Sequence, residues 1–175
     1  RVTFVQGDMS DAALVEKVFA EHRPEAVLHF AAFAYVGESV TDPLKYYRNN
    51  LAAPLAVLEA MQRHGCKRFI FSSTCATYGN PVRVPMDESH PQEPVNPYGA
   101  SKQMLERVLR DCETAWGLKS VFLRYFNASG CDLEGEIGED HDPETHLIPR
   151  ILMAITGEID AITVFGTDYP TADGT

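Results

Sequence analysis

Residues 68–73, RFIFSS, lead through a polar segment to residues 96–117, NPYGASKQMLERVLRDCETAWG, and then to residues 120–126, SVFLRYF. The first and last pieces are short apolar runs of strand length with aromatic or β-branched centres. The middle piece reads as a helix over 98–116, with Asn96 able to cap it and Pro97 suited to its first position. Within it Tyr98, Lys102, Leu105, Leu109 and Cys112 fall at spacings of three and four on one face. A strand, a helix and a strand in that order form a βαβ unit, which requires the strands to run parallel.

The same alternation extends outward. Upstream, Leu44 to His64 reads as a long helix carrying Leu44, Tyr47, Leu51, Leu55, Leu58 and Met61 on one stripe. Gly65 is its stop, and Pro54 is expected to kink it. Ala26 to Ala32 (AVLHFAA) reads as a strand buried on both faces, Asp11 to His22 as a helix capped by Ser10, and Val2 to Gln6 as a strand ending at Gly7-Asp8. Downstream of Gly130 the alternation breaks into acidic, glycine-bearing sequence, followed by a helix near Leu147 to Thr156. The expectation is an α/β fold with a doubly wound parallel sheet over residues 1–130 and part of a second, smaller domain over residues 131–175. In such sheets ligands bind at the carboxyl ends of the strands. Polar or small residues follow four successive apolar runs here: Gly7-Asp8, Ala31-Ala32, Ser72-Ser73-Thr74 and Asn127.

Composition narrows the function. The 175 residues are 45% hydrophobic and 23% charged, which is the profile of a globular domain. Fifteen basic against 25 acidic residues give a formal net charge of −10, which argues against a nucleic-acid footprint. An anionic ligand remains compatible, because local donors rather than net charge hold a phosphate. Cys66, Cys75, Cys112 and Cys131 form no C-x-x-C pair and fit no zinc spacing, so reduced thiols in a cytoplasmic protein are expected. No stretch is long and apolar enough to span a membrane, and the first residues lack the plan of a signal peptide.

The chemistry centres on Asn96-Pro97-Tyr98-Gly99-Ala100-Ser101-Lys102. Tyr98 and Lys102 lie one helical turn apart on the inward face. An ammonium there would favour the phenolate and lower the proton affinity of Tyr98, an ordinary tyrosine with a pKa of about 10 being a poor base at neutral pH. Y-x-x-x-K alone is weak, since a core Tyr and a surface Lys fall four apart by chance. The N-P-Y-G-x-S-K frame and the upstream Ser72-Ser73-Thr74 make it specific.

With those residues in view, the chain resembles the extended short-chain dehydrogenase/reductase superfamily and, within it, the UDP-glucose 4-epimerases. The matching segments run nearly end to end: HFAAFAYVGES (29–39), YYRNN (46–50), FSSTCATYG (71–79), NPYGASK (96–102), LRYFNASG (123–130), IGED (137–140) and VFGTDYPTADGT (164–175). The resemblance implies a Rossmann-like sheet, tightly bound NAD and a UDP-sugar substrate. In its terms Tyr98 is the base at the sugar 4-hydroxyl, Lys102 binds the nicotinamide ribose and tunes Tyr98, and Thr74 hydrogen-bonds the reacting oxygen. A 4-keto sugar forms, turns in the pocket and is reduced on its other face. Asp8 and Met9 match the pair at the adenine, and Phe30, Ala31 and Ala32 match the strand end beside the cofactor phosphates. Asn50, Ser72 and Tyr125 match further cofactor positions. Asn127, His146, Leu147 and Phe165 match positions around the UDP, with ordinary core as the alternative for Leu147 and Phe165. A cytoplasmic homodimer formed through helices 44–64 and 98–116 is also implied, although core packing explains their stripes equally well.

There are departures. Ala34 stands where many relatives have a Lys on the cofactor ribose, and His146 stands where an Asn often meets the diphosphate. The AFAYVGES and STCATYG wording also resembles UDP-arabinose (UDP-xylose) 4-epimerases. The glycine-rich phosphate turn, the acidic residue of the next strand and an Arg for the UDP phosphates are not in this sequence, so residues 1–175 alone are expected neither to hold NAD tightly nor to turn over. Among rivals, a nucleotide-sugar 4,6-dehydratase would need an Asp-Glu pair after Thr74, where Cys75-Ala76 stand. A non-catalytic superfamily member would be expected to lack Tyr98 or Lys102, and a simple carbonyl reductase would not need the DYPTADGT segment (168–175).

Overall fold

The computed structural model describes residues 2–174. The chain divides into two compact units, residues 1–126 and 127–175.

The first unit holds a three-stranded parallel sheet in the order β1 (Val27–His29), β2 (Arg68–Thr74), β3 (Lys119–Tyr125). Val27 pairs with Phe69, and Arg68 pairs with Lys119, so the three carboxyl ends lie along one edge at His29, Thr74 and Tyr125. The helices are α1 (Ala12–His22), α2 (Val36–Thr41), α3 (Pro43–Tyr47), α4 (Ala53–His64) and α5 (Pro97–Trp116). Phe69 and Phe71 of β2 point into a core built with Leu58 and Met61 of α4, Leu105 and Leu109 of α5, and Val15 and Phe19 of α1.

Several sequence expectations change in detail. Asp11, not Ser10, caps α1: its carboxylate accepts from the backbone N–H groups of Ala13 and Leu14, while Ser10 donates to Asp8. Val2–Gln6 is not a strand, because a strand requires a hydrogen-bonded neighbour and no described segment pairs with it. The strand expected over 26–32 is only three residues long and is not buried on both faces, since Leu28 is 58% exposed. It lies at the edge of this sheet, with one face open among the described residues.

Pro54 does not simply kink a continuous α-helix. Its ring removes an N–H and would clash with the carbonyl of Asn50 four residues back. The backbone answers with a π-helical turn, Arg48–Ala52, in which the Ala53 N–H reaches the Arg48 carbonyl. Asn50 is buried inside that turn. Gly65 ends α4 in the left-handed region, as its position predicts.

The second unit contains α6 (Leu147–Thr156), preceded by an irregular acidic segment. No helix among the described residues is long and apolar enough to cross a membrane.

Candidate functional site

The amino end of α5 is fixed against the end of β2. Asn96 caps the helix by accepting from the Gly99 N–H at 2.8 Å, and Pro97 takes the first turn, where its missing N–H costs nothing. Beyond β2 the chain makes a 3₁₀ turn, Cys75–Thr77, capped by the Thr74 hydroxyl, which accepts from the Ala76 N–H at 3.1 Å. Helix and turn touch at Gly99, where an added Cβ would sit 2.5 Å from the Ala76 carbonyl oxygen. Glycine is therefore required for this close approach, which sets the start of α5 beside the turn that follows Thr74.

One turn further along α5, Lys102 is 2% exposed. Its Nζ donates to the Ser72 carbonyl at 2.8 Å and stands 4.9 Å above the Phe71 ring and 6.0 Å from that of Tyr98. Ser72, Thr74, Tyr98 and Lys102 thus come together at the carboxyl edge of the sheet. Asn50 is held nearby with both amide atoms engaged by the Phe33 backbone at 2.9 Å, and its Nδ2 donates to Ser101 Oγ at 3.3 Å. Tyr46, fully buried, places its ring edge-on to Tyr98 at 6.4 Å.

The electrostatics correct one expectation. Burial lowers the pKa of Lys102 to about 8, because the charged form loses its hydration. Burial also raises the phenol of Tyr98, with the nearby Cys75 adding to the rise and the hydrogen bond with Thr74 opposing it. Lys102 does not bring the tyrosine below its ordinary value here. Desolvation of the phenolate prevails over an ammonium that is itself pushed toward neutrality. His29, at the end of β1 and stacked on Phe71 at 5.8 Å, is lowered to about 4 by burial and then by the charge of Lys102, so it is a neutral imidazole at physiological pH.

The other predicted positions are more open. Phe30 and Ala31 are exposed and Ala32 is half-buried just past β1, while Tyr125 closes β3 and is exposed. Asp8 is exposed and accepts from both the backbone and hydroxyl of Ser10; Met9 is half-buried and lines the same apolar hollow as Leu14 and Val57. In the second unit Asn127 and His146 are exposed, and Leu147 and Phe165 are 67% and 92% exposed. Neither Leu147 nor Phe165 is core within that unit.

The family model described as the NAD dependent epimerase/dehydratase family matches residues 1–175. The chain belongs to that family. A UDP-glucose 4-epimerase of Rhizobium meliloti is 54% identical over 170 residues, covering 97% of this chain and 52% of the relative. A probable UDP-arabinose 4-epimerase of Arabidopsis thaliana is 48% identical over 179 aligned residues, covering all of this chain and 44% of the relative. The crystal structure of UDP-glucose 4-epimerase from Brucella ovis in complex with NAD superposes with a TM-score of 0.92 at 53% identity, covering 97% of this chain and 52% of that one. The chain thus spans about half the length of the relatives it matches.

Within this epimerase/dehydratase chain, the residues that sequence reasoning missed are those that hold the site from behind. Glu106 is fully buried and accepts from Ser73 at 2.6 Å and from Arg124 at 3.0 and 2.7 Å; Arg124 also donates to the Tyr78 hydroxyl at 2.9 Å. Burial alone would raise Glu106, but the hydrogen bonds from Arg124 and Ser73 outweigh it and hold its carboxyl below the usual range. The available signal was a glutamate four residues after Lys102 beside the apolar stripe. Its partner Arg124 lies on β3, 18 residues away in sequence, so nothing local marked the pair.

Proposed function

We propose that the full-length protein interconverts UDP-glucose and UDP-galactose by NAD-dependent 4-epimerisation through a transient 4-keto sugar. The observation that carries this reading is the constellation of Thr74, Tyr98 and buried Lys102, with Lys102 held on the Ser72 carbonyl and Thr74 near enough to Tyr98 to oppose the rise of its phenol. Family membership and the names of the close relatives supply the reaction class.

The residues present fit a nicotinamide cofactor. Lys102 is buried, and an ammonium has three donors, of which the Ser72 carbonyl takes one. The remaining capacity suits ribose hydroxyls. Ala31 and Ala32, small and not fully buried beyond β1, leave the backbone there open to a phosphate group. Ser72, Asn50, Phe30, Tyr125, Asp8 and Met9 complete the proposed cofactor side. Bound there, NAD would supply a reversible hydride acceptor.

In this reading the hydroxyl of Tyr98 exchanges a proton with the sugar 4-oxygen, and Thr74 orients both. As base Tyr98 acts in its phenolate form: it takes the 4-hydroxyl proton in the first half of the cycle and, then a phenol, returns that proton in the second. Lys102 places a positive charge beside the phenol and anchors α5 to β2 through Ser72. Asn127, His146, Leu147 and Phe165 bear on the nucleotide. Binding energy from the UDP portion leaves the sugar ring loosely held, which rotation of the 4-keto sugar requires. On this reading residues 1–130 belong to the NAD-binding domain and residues 131–175 to the nucleotide-sugar domain of a cytoplasmic homodimer.

The test is incubation of the purified full-length protein with UDP-galactose and no added cofactor. UDP-glucose should form, and Tyr98→Phe should lower the rate by about 10²–10⁴-fold. The Arabidopsis relative favours a second substrate, UDP-arabinose. Turnover of the pentose alone would move the specificity and keep the mechanism, whereas turnover of neither sugar would overturn the epimerase reading.

A further inference from the structure

Ahead of α6, in the second unit, Glu139, His141, Glu144 and His146 bring one ligand atom each to within 4.8 Å of one another. The Nδ1 of His146 stands 2.9 Å from Glu144 Oε1 and 3.7 Å from Glu139 Oε1, and that same Glu139 oxygen contacts the Nδ1 of His141. The two imidazole rings meet edge-to-face with centroids 4.9 Å apart. Three of the four side chains are open to solvent, while that of Glu144 is only 9% exposed.

We propose that these four residues form a binding site for a divalent transition-metal ion of the zinc class. The geometry is close to what such an ion demands. A tetrahedral zinc with ligands at about 2.1 Å has ligand atoms about 3.4 Å apart. The separations of 2.9 and 3.7 Å around His146 bracket that value, whereas Glu139 and His141 stand closer and the widest separation reaches 4.8 Å, so these side chains must shift as the ion enters. Donor chemistry selects the ion: two imidazole nitrogens with two carboxylates suit zinc, cobalt, nickel or copper, whereas magnesium and calcium prefer an all-oxygen shell. Charge closes as well, since two carboxylates neutralise a dication while both imidazoles stay neutral. That balance also offsets the unfavourable placement of a cation near the amino end of α6. Four protein ligands make a closed site, so the ion would order the segment 139–146 and fix His146 immediately before Leu147. The site lies wholly within the second unit and shares His146 with the proposed nucleotide contacts, so metal binding is measured directly and not through turnover.

The experiment uses the full-length protein, stripped with a chelator and dialysed against zinc, with bound metal counted per chain. One equivalent is expected, and cobalt at the same site should give the intense visible absorption of four-coordinate Co²⁺. His141→Ala and His146→Ala should each weaken zinc binding by at least about tenfold, since loss of even an outer-shell partner typically costs 10–100-fold. Glu139→Gln together with Glu144→Gln should do the same, and this pair tests the site independently of the histidines. Absence of a stoichiometric ion, or zinc affinity unchanged in the His141→Ala/His146→Ala double variant, would overturn the proposal. Displacement of zinc by millimolar magnesium would overturn the assignment of the ion class.

Discussion

Glu106 on α5 accepts a 2.6 Å hydrogen bond from Ser73, the residue of β2 between Ser72 and Thr74. One buried carboxylate thereby joins the helix that carries Tyr98 and Lys102 to the strand that carries Thr74. It also reaches β3 through Arg124. Removing it leaves a largely buried guanidinium without its counter-ion. Glu106→Ala should therefore destabilise the protein by about 3–5 kcal/mol. Glu106→Ala combined with Arg124→Ala should cost less than the sum of the single changes. Chemical denaturation of the four proteins measures this; strict additivity would mean that the pair is not coupled.

Gly99→Ala should destabilise, although alanine is the better helix former by about 1 kcal/mol. The new Cβ would meet the Ala76 carbonyl oxygen at 2.5 Å, and α5 must then retreat from the turn after Thr74. The expected signature is a fall in kcat together with a lower Tm. A variant as active and as stable as the parent would refute the close-approach argument.

Lys102 opposes folding stability at neutral pH. An unfolded lysine keeps its proton to about pH 10.5, whereas the folded one releases it near 8. Between these values the unfolded state binds more protons, so stability rises with pH through that window. Below pH 8 the buried ammonium costs on the order of 3 kcal/mol. Lys102→Met should consequently raise the Tm of the cofactor-free protein at pH 7 while abolishing turnover, and its advantage should shrink as the pH approaches 10. Thermal melts across pH 7–10 would decide this, and a Met variant less stable at pH 7 would contradict it.

His29 acts at the other end of the scale. It is lowered to about 4 in the folded state against an ordinary 6.5, so the unfolded chain takes up the proton first on acidification. The stability that neutral His29 permits is complete above pH 6.5 and declines as the pH falls toward 4. Replacing His29 with Asn should flatten the stability profile between pH 6.5 and 4, by up to about 3 kcal/mol at the acid end. Parallel wild-type and variant profiles would show that another group carries the acid sensitivity.

The βαβ order, the extent of α5, the Asn96 cap and the Gly65 stop were legible in the sequence because each rests on local chemistry: apolar spacing, a side chain that meets its own helix terminus, or a backbone angle that glycine tolerates. The helical pairing of Tyr98 with Lys102 was legible for the same reason, and the N-P-Y-G-x-S-K frame marked it as a site. Tertiary contact decided the rest. Val2–Gln6 has strand patterning and no ladder partner among the described residues, so the pattern alone could not make it a strand. Pro54 was visible as a break, but the π turn that accommodates it depends on Asn50 being held by Phe33 and Ser101. The Glu106–Arg124 pair and the net upward shift of Tyr98 were hidden because they join residues on different elements, or arise from desolvation. Spacing along the chain encodes which face a side chain occupies; only the packed structure sets how much water it loses and which charge it meets across the sheet.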